Sequence, residues 1–384
     1  MRVLIFPNDP LVAYLKKGEL KARYFNPNNI FDEVHFVTFF DEECSIEDIQ
    51  KTIGSAKGFI HKLSPISILD MFFPKLRAKD IINEISSINV DIVRAYNPIF
   101  QGFFAGIASL ELKVPFLISL HGNYDLDIRY QYRTNRDKRY LKYLLSKYTV
   151  EPKSLKMATH ILGAYKFAGK YATDNGVDES KVSIIYNRVY LDRFKPNNNK
   201  KKSTQIRVIS VGRLIKEKGQ RILVEAMASL NENILLTIVG DGEDYDLLIN
   251  KSKDLNLTSR ITFIKSIPNE ELAELYREHD IFALPIQYGG VCIPVLEATA
   301  SGLALVMPKP IHEDTPEVVG EYAEIIENSP KGFAGGIQKV ADNFELRQEM
   351  IKKGLKVIAT YTGDIMEKRE SELYKNLVYR NENK

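Results

Sequence analysis

Short apolar runs separated by longer helix-like stretches recur almost from one end of the chain to the other. This alternation narrows the possible folds more than any other feature. Apolar runs of about five residues suit strands buried on both faces, and the stretches between them are long enough for crossover helices. Repeated units of this kind build parallel sheets covered by helices. The spacing predicts strands near 2–7, 33–39, 57–61, 91–95, 115–120, 158–163 and 182–186. A second series is predicted near 206–211, 234–239, 261–264, 280–284, 304–307 and 322–326.

Between the two series the polar stretch KPNNNKKKST, Lys195 to Thr204, breaks the apolar rhythm as an exposed connection does. A chain of 384 residues is also too long for one ordinary core. The expected organisation is a first domain over 1–194, a linker over 195–204 and a second domain over 205–362. A terminal helical segment, 363–384, carries Ile365, Leu373, Tyr374 and Leu377 and is expected to pack back on the first domain. The fold class is α/β: two Rossmann-like parallel-sheet domains facing each other across a cleft.

Composition excludes several classes of function. No run approaches the roughly 18 apolar residues needed to cross a bilayer. The opening MRVLIFPNDP has too short an apolar stretch for a signal peptide and reads as a first strand. Cys44 and Cys292, the only cysteines, are far apart and lack metal-ligand spacing, which fits a reducing cytoplasm and no zinc. A net charge of +3 does not point to nucleic acid. Locally, residues 129–148 hold seven Lys or Arg against one Asp, interleaved with five tyrosines. A helix there would align Leu141, Leu144, Leu145 and Tyr148, so the segment is expected either to pack on its own core or to meet an anionic membrane peripherally. Asp125 and Asp127 are expected to be loop surface rather than a metal-binding pair.

In open parallel sheets ligands gather outside the carboxyl ends of the strands. In the second series IRVISV leads into Gly212, Arg213, Leu214, Ile215, Lys216, Glu217, Lys218 and Gly219 before a helical stretch. Gly212 admits a ligand to the backbone, Arg213 offers a planar fork of donors and Lys218 a point charge, a set suited to a diphosphate. Gly240 and Gly242 follow the next strand, but Tyr245 stands where a dinucleotide fingerprint has its third glycine, which excludes NAD. The run from Asp280 to Gly302 supplies a strand, a Gly289–Gly290 loop, and a helix that starts at Pro294 and is expected to hold Glu297 in its first turn. A carboxylate there either complements the helix dipole or accepts hydrogen bonds from ribose hydroxyls.

These stretches resemble the large retaining glycosyltransferase family 4, whose members have the GT-B fold. The resemblance rests on NRVYLDRFKP (187–196), VGRLIKEKG (211–219), VGDGED (239–244), FIKSIPNEELAELY (263–276) and the run 280–302, in that order. It implies that Arg213 and Lys218 neutralise the departing nucleoside diphosphate without a metal. It further implies that Glu297 binds ribose, that Gly290, Val291, Cys292 and Ile293 bring backbone donors to phosphates and sugar, and that Ile267 lies beside the base. Gly212, Gly240 and Asn187 fall in the donor-binding motifs, and His121, after the strand VPFLISL, matches the family's histidine that touches the donor sugar. The family's first motif glutamate is replaced by Gly289, eight residues before Glu297. Arg188 and Lys265 stand where the family has glycine, and the glycine-rich first loop is replaced by a segment whose single glycine is Gly18.

The expected function is therefore transfer of a sugar from a nucleoside diphosphate sugar to a sugar or lipid-linked hydroxyl acceptor, with retention, in glycan or cell-envelope polysaccharide synthesis. No cofactor is expected beyond the nucleotide sugar itself as co-substrate. The expected location is the cytoplasm, peripheral at the inner membrane face. Two rivals stand beside it: a non-catalytic nucleotide-sugar-binding scaffold, motivated by Gly289, and a GT-B phosphorylase or epimerase.

Overall fold

A computed structural model describes residues 1–16, 21–40, 43–66, 70, 73–197, 203–286, 292–312 and 317–382. Gly18 and the loop residues Gly289, Gly290 and Val291 lie outside them. The chain divides into two compact units, Met1–Tyr186 with Met366–Lys384, and Asn187–Ile365.

The first unit is built on seven strands among the described residues: β1 Arg2–Phe6, β2 Glu33–Thr38, β3 Lys57–Lys62, β4 Ile92–Ala95, β5 Phe116–Leu120, β6 His160–Gly163 and β7 Val182–Ile184. Their order is β3-β2-β1-β4-β5-β6-β7, and every pairing is parallel. The second unit repeats the plan with β8 Ile206–Val211, β9 Ile234–Val239, β10 Ile261–Ile264, β11 Ile281–Ala283, β12 Ala304–Pro308 and β13 Glu324–Ile326. Its order is β10-β9-β8-β11-β12-β13, again parallel throughout. Each predicted strand is present within a residue or two, because short, largely apolar runs between longer helical stretches suit strands covered by helices on both faces. Both sheets reverse direction of winding beside their first strand, at β1/β4 and at β8/β11, and such switch points open a crevice at the carboxyl edge.

The boundary between the units departs from the expected one. The chain changes units at Tyr186–Asn187 rather than at 194–204. Val189 and Phe194 are buried in the second unit's core, Phe194 lies 6.0 Å from Tyr276, and Val189 bridges to Thr362. The polarity of the Asn/Lys stretch conceals these two anchors just upstream.

From Met366 onward the helix Gly363–Glu382 belongs to the first unit. Its buried face is Met366, Glu367, Glu370, Ser371, Tyr374, Leu377 and Val378, whereas Ile365 is exposed. Two buried carboxylates are paired within the first unit: Arg23 with Glu367 at 2.9 Å, and Arg94 with Glu370 at 2.6 Å.

Residues 129–148 do not form one helix. A wide π-helical turn over Tyr124–Arg129 and a short helix Tyr130–Thr134 lead to Arg136, at φ 53°, and then to the helix Arg139–Thr149. Tyr143 faces the core, while Leu141 and Tyr148 are 72% and 73% exposed, so part of the apolar stripe points to solvent. Asp125 and Asp127 are not loop surface either. Asp127 is buried, and the Asp125 carboxylate accepts from Arg129 at 2.8 Å, Lys147 at 2.7 Å and Asn175 at 3.2 Å.

Candidate functional site

The carboxyl edge of β8 carries the densest set of chemically capable residues. Beyond Val211 the chain leaves the sheet at Gly212, whose N–H donates to Val239 O at 3.0 Å, and Leu214 N donates to Asp241 O at 2.9 Å. Two loops, one after β8 and one after β9, are thereby laced backbone to backbone. Gly240 is required for this contact: a Cβ there would stand 2.0 Å from Gly212 O. The structure thus gives Gly240 a packing role in shaping the loop. Gly219, at φ 69°, ends the short turn Lys216–Lys218, and a Cβ there would meet Pro285 O, at the end of β11, at 2.9 Å. The buried Gln220 side chain donates to Arg213 O at 3.2 Å and closes the loop on itself.

This lacing fixes where the two cations start. Arg213 is exposed and Lys218 half-buried, and among the described residues neither forms an ion pair. A guanidinium and an ammonium left without carboxylate partners beside a switch point can meet two negative charges of a diphosphate.

The helix Ile293–Ala300 begins immediately after Cys292, whose carbonyl accepts from Val295 N at 3.1 Å. Ile293 is its first residue and Pro294 its second, which suits a missing N–H. Glu297 lies on the second turn, not the first, so complementing the helix dipole is a weaker reason for a carboxylate at this position. It has a specific partner instead. Tyr276, fully buried on the helix Asn269–Glu278, interacts through its hydroxyl with the Glu297 carboxylate and lies 3.4 Å from Pro294 O. Desolvation and then the Glu297 charge push the Tyr276 phenol well above its usual range, so it stays a donor. Desolvation likewise pushes the Cys292 thiol up, opposed by the nearby Lys218 charge and assisted by Glu297. Lys218, Cys292, Tyr276 and Glu297 therefore form one neighbourhood.

Other expected site residues are placed more loosely. Ile267 is half-buried and packs against the core that includes Val239 and Leu272. Asn187 opens the second unit and is half-buried. Lys265 pairs with Asp241 at 3.7 Å and lies 5.1 Å from the centroid of Tyr245. Tyr276 and Gln220 went unnoticed in the sequence because each reads as an ordinary residue of an amphipathic helix. A tyrosine at an apolar helical position, whose hydroxyl must find a partner when buried, was the available signal.

In the first unit, His121 directly follows β5; part of its surface meets solvent, while protein crowds the imidazole on most sides. Its ring lies nearly parallel to that of Tyr96, with centroids 5.8 Å apart and planes at 12°, and its carbonyl accepts from Tyr165 Oη at 3.3 Å. Desolvation by surrounding protein and the Arg94 charge bring its pKa down to about 4. Among the described residues no group of three or more His, Cys, Asp or Glu is arranged to hold a metal, and no helix is long and apolar enough to cross a membrane.

Residues 32–193 match the family model described as Glycosyltransferase Family 4, and residues 192–357 match that described as Glycosyl transferases group 1. An uncharacterized glycosyltransferase of Methanocaldococcus jannaschii is 26% identical over 221 residues, 51% of this chain and 54% of that protein. The Escherichia coli UDP-Gal:alpha-D-GlcNAc-diphosphoundecaprenol alpha-1,3-galactosyltransferase is 33% identical over 149 residues, 34% of this chain and 37% of its own length. The chain thus spans between about a third and about half the length of these curated relatives. Among solved structures, HepE of Anabaena in complex with UDP has a TM-score of 0.73 at 15% identity, over 98% of this chain and 100% of that one. Sucrose-phosphate synthase of Thermosynechococcus elongatus also reaches 0.73, at 16% identity over 99% and 100%. The chain is thus matched in tandem by two glycosyltransferase domain models and shares the fold of these structures.

Proposed function

We propose that the protein transfers a sugar from a nucleoside diphosphate sugar to a hydroxyl acceptor, with retained configuration and without a metal. The observation that carries this reading is the laced loop after β8, which holds Arg213 and Lys218 with no ion-pair partner among the described residues. As the bond between sugar and diphosphate breaks, negative charge grows on the leaving phosphate oxygens. Arg213 and Lys218 are preorganised to stabilise that charge, so the barrier falls without a side-chain nucleophile. Glu297, steadied by Tyr276, accepts hydrogen bonds from ribose hydroxyls, and His121 is the first unit's candidate for contact with the donor sugar. Support also comes from a relative whose name specifies a UDP-sugar donor and a diphosphoundecaprenol acceptor, and from a neighbour solved with UDP-glucose. The acceptor is accordingly a sugar or lipid-linked sugar, and the route is glycan or envelope polysaccharide synthesis.

The exposed Leu141 and Tyr148, with Lys138, Arg139 and Lys142 alongside, give the first unit an apolar and basic face suited to an anionic membrane that presents such an acceptor. No nucleic acid partner is proposed. The test is release of nucleoside diphosphate from UDP-, GDP-, ADP- and dTDP-sugars in the presence of candidate acceptors. One donor is expected to turn over. Tight binding of a nucleotide with no turnover of any donor would favour the non-catalytic scaffold suggested by Gly289.

A further inference from the structure

Arg94, in the middle of the first unit's sheet, is in a demanding situation. It occupies the third position of the apolar strand β4 and is only 4% exposed, where an unpaired guanidinium would be strongly disfavoured. Three groups meet it. Its Nε donates to Ser119 Oγ on β5 at 3.0 Å, and its Nη1 donates to Glu370 Oε1 at 2.6 Å and to the Tyr374 hydroxyl. Glu370 and Tyr374 both belong to the C-terminal helix, which has re-entered the first unit.

The same guanidinium lies 4.3 Å from the centroid of the Tyr96 ring, within the range of a cation–π contact. Tyr96 is in turn stacked with Tyr24, at 5.8 Å and 25°, meets Phe25 edge-on at 5.6 Å, and stands nearly parallel to His121. Its hydroxyl is buried and has no hydrogen-bond partner among the described residues, so the ring is held by its faces and edge and not by its oxygen. A continuous set of contacts therefore runs from the C-terminal helix through a buried cation and an aromatic ring to the one histidine at the end of β5.

We propose that Arg94 is a positioning residue for His121: clamped by Ser119, Glu370 and Tyr374, it fixes the Tyr96 ring against which the His121 imidazole rests. The C-terminal helix is then part of the site's construction as well as of the fold. The proposal rests on the reading that His121 meets the donor sugar. The charged and titratable groups facing His121 agree with it. Arg94 and Lys21 favour the neutral imidazole, Glu370 and Asp9 oppose them, and Tyr96 and Tyr165 complete the surroundings. At neutral pH His121 is thus presented as an uncharged ring in a fixed plane, able to hydrogen-bond a sugar hydroxyl.

The test is an NMR titration of the labelled His121 imidazole in the full chain, run beside kcat and KM for donor turnover. Arg94→Met is expected to raise the His121 midpoint from about 4 toward its ordinary value and to alter the ring's chemical shifts. Glu370→Gln, which keeps the cation and removes its counter-charge, is expected to lower the midpoint. Opposite directions are the signature, since a merely loosened fold would raise both. Arg94→Lys restores the cation and should bring the midpoint back toward wild type. Tyr96→Phe against Tyr96→Leu gives a second route if the charge variants do not fold: the ring-current shift on His121 survives the first and is lost in the second. Alongside these changes kcat should fall about tenfold in Arg94→Met, with KM for the donor little altered. An unchanged kcat beside a shifted midpoint keeps the positioning and overturns the role given to His121. A midpoint and shifts unmoved in both Arg94→Met and Tyr96→Leu overturn the proposal.

Discussion

Single residues here do two kinds of work, and the coordinates separate them. Gly240 is needed because the two loops touch at their backbones, so Gly240→Ala should destabilise the second unit by about 1–3 kcal/mol, read from chemical denaturation. Gly335, on the exposed side of the helix Pro330–Asp342 with nothing near its missing Cβ, should show the reverse: Gly335→Ala is expected to stabilise by about 0.5–1 kcal/mol. In the proposed function Tyr276 shapes the ligand site, through Glu297. Tyr276→Phe removes one hydroxyl beside Glu297 and should weaken nucleoside diphosphate binding by up to about tenfold, the worth of about one hydrogen bond to a charged group. Calorimetric titration of the variant checks this, and an unchanged affinity would return Tyr276 to a packing role. At this scale the sequence was informative where a residue's chemistry is local. Arg213 and Lys218 are recognisable because they follow a strand end, whereas Arg94 in an apolar strand is explained by partners distant in sequence, its counter-charge Glu370 lying 276 residues later.

Elements were the most legible level. Strands buried on both faces leave a run that no exposed residue interrupts, and β5 and β12 are continuous examples. Helices were less legible, because an apolar stripe says that one face is buried without saying by what. The helix Arg139–Thr149 shows the difficulty. Its stripe of Leu141, Leu144, Leu145 and Tyr148 is compatible with a core face or a membrane face, and Leu141 and Tyr148 point outward. The helix is instead pinned by Tyr143, whose carbonyl accepts from Arg129 at 2.8 Å, and by the Lys147–Asp125 pair. An outward apolar stripe flanked by basic residues predicts association with vesicles containing anionic lipid, weakened by salt. Flotation should show the wild type moving with anionic vesicles and a Leu141→Ser, Tyr148→Ser double variant left behind. Indifference of the wild type to lipid charge would remove the membrane from the proposed function.

At the scale of the whole molecule, two parallel sheets of the same plan occupy separate units, and each places its switch point at the carboxyl edge of its first strand. The two-domain architecture was readable because the βα rhythm restarts after residue 204. The boundary was not, because two buried anchors, Val189 and Phe194, sit inside a polar stretch and join the second unit ahead of its first strand. In the proposed function the second unit's edge carries the nucleotide chemistry, with Arg213 and Lys218 at its centre. The measurement that bears on this most directly is calorimetric titration of nucleoside diphosphates into the wild type, Arg213→Ala and Lys218→Ala. One nucleoside diphosphate should bind the wild type, each variant should bind it at least about tenfold more weakly, and kcat for its sugar should fall on the order of 10²-fold. Wild-type affinity and turnover in both variants would contradict the assignment of the diphosphate to the loop after β8.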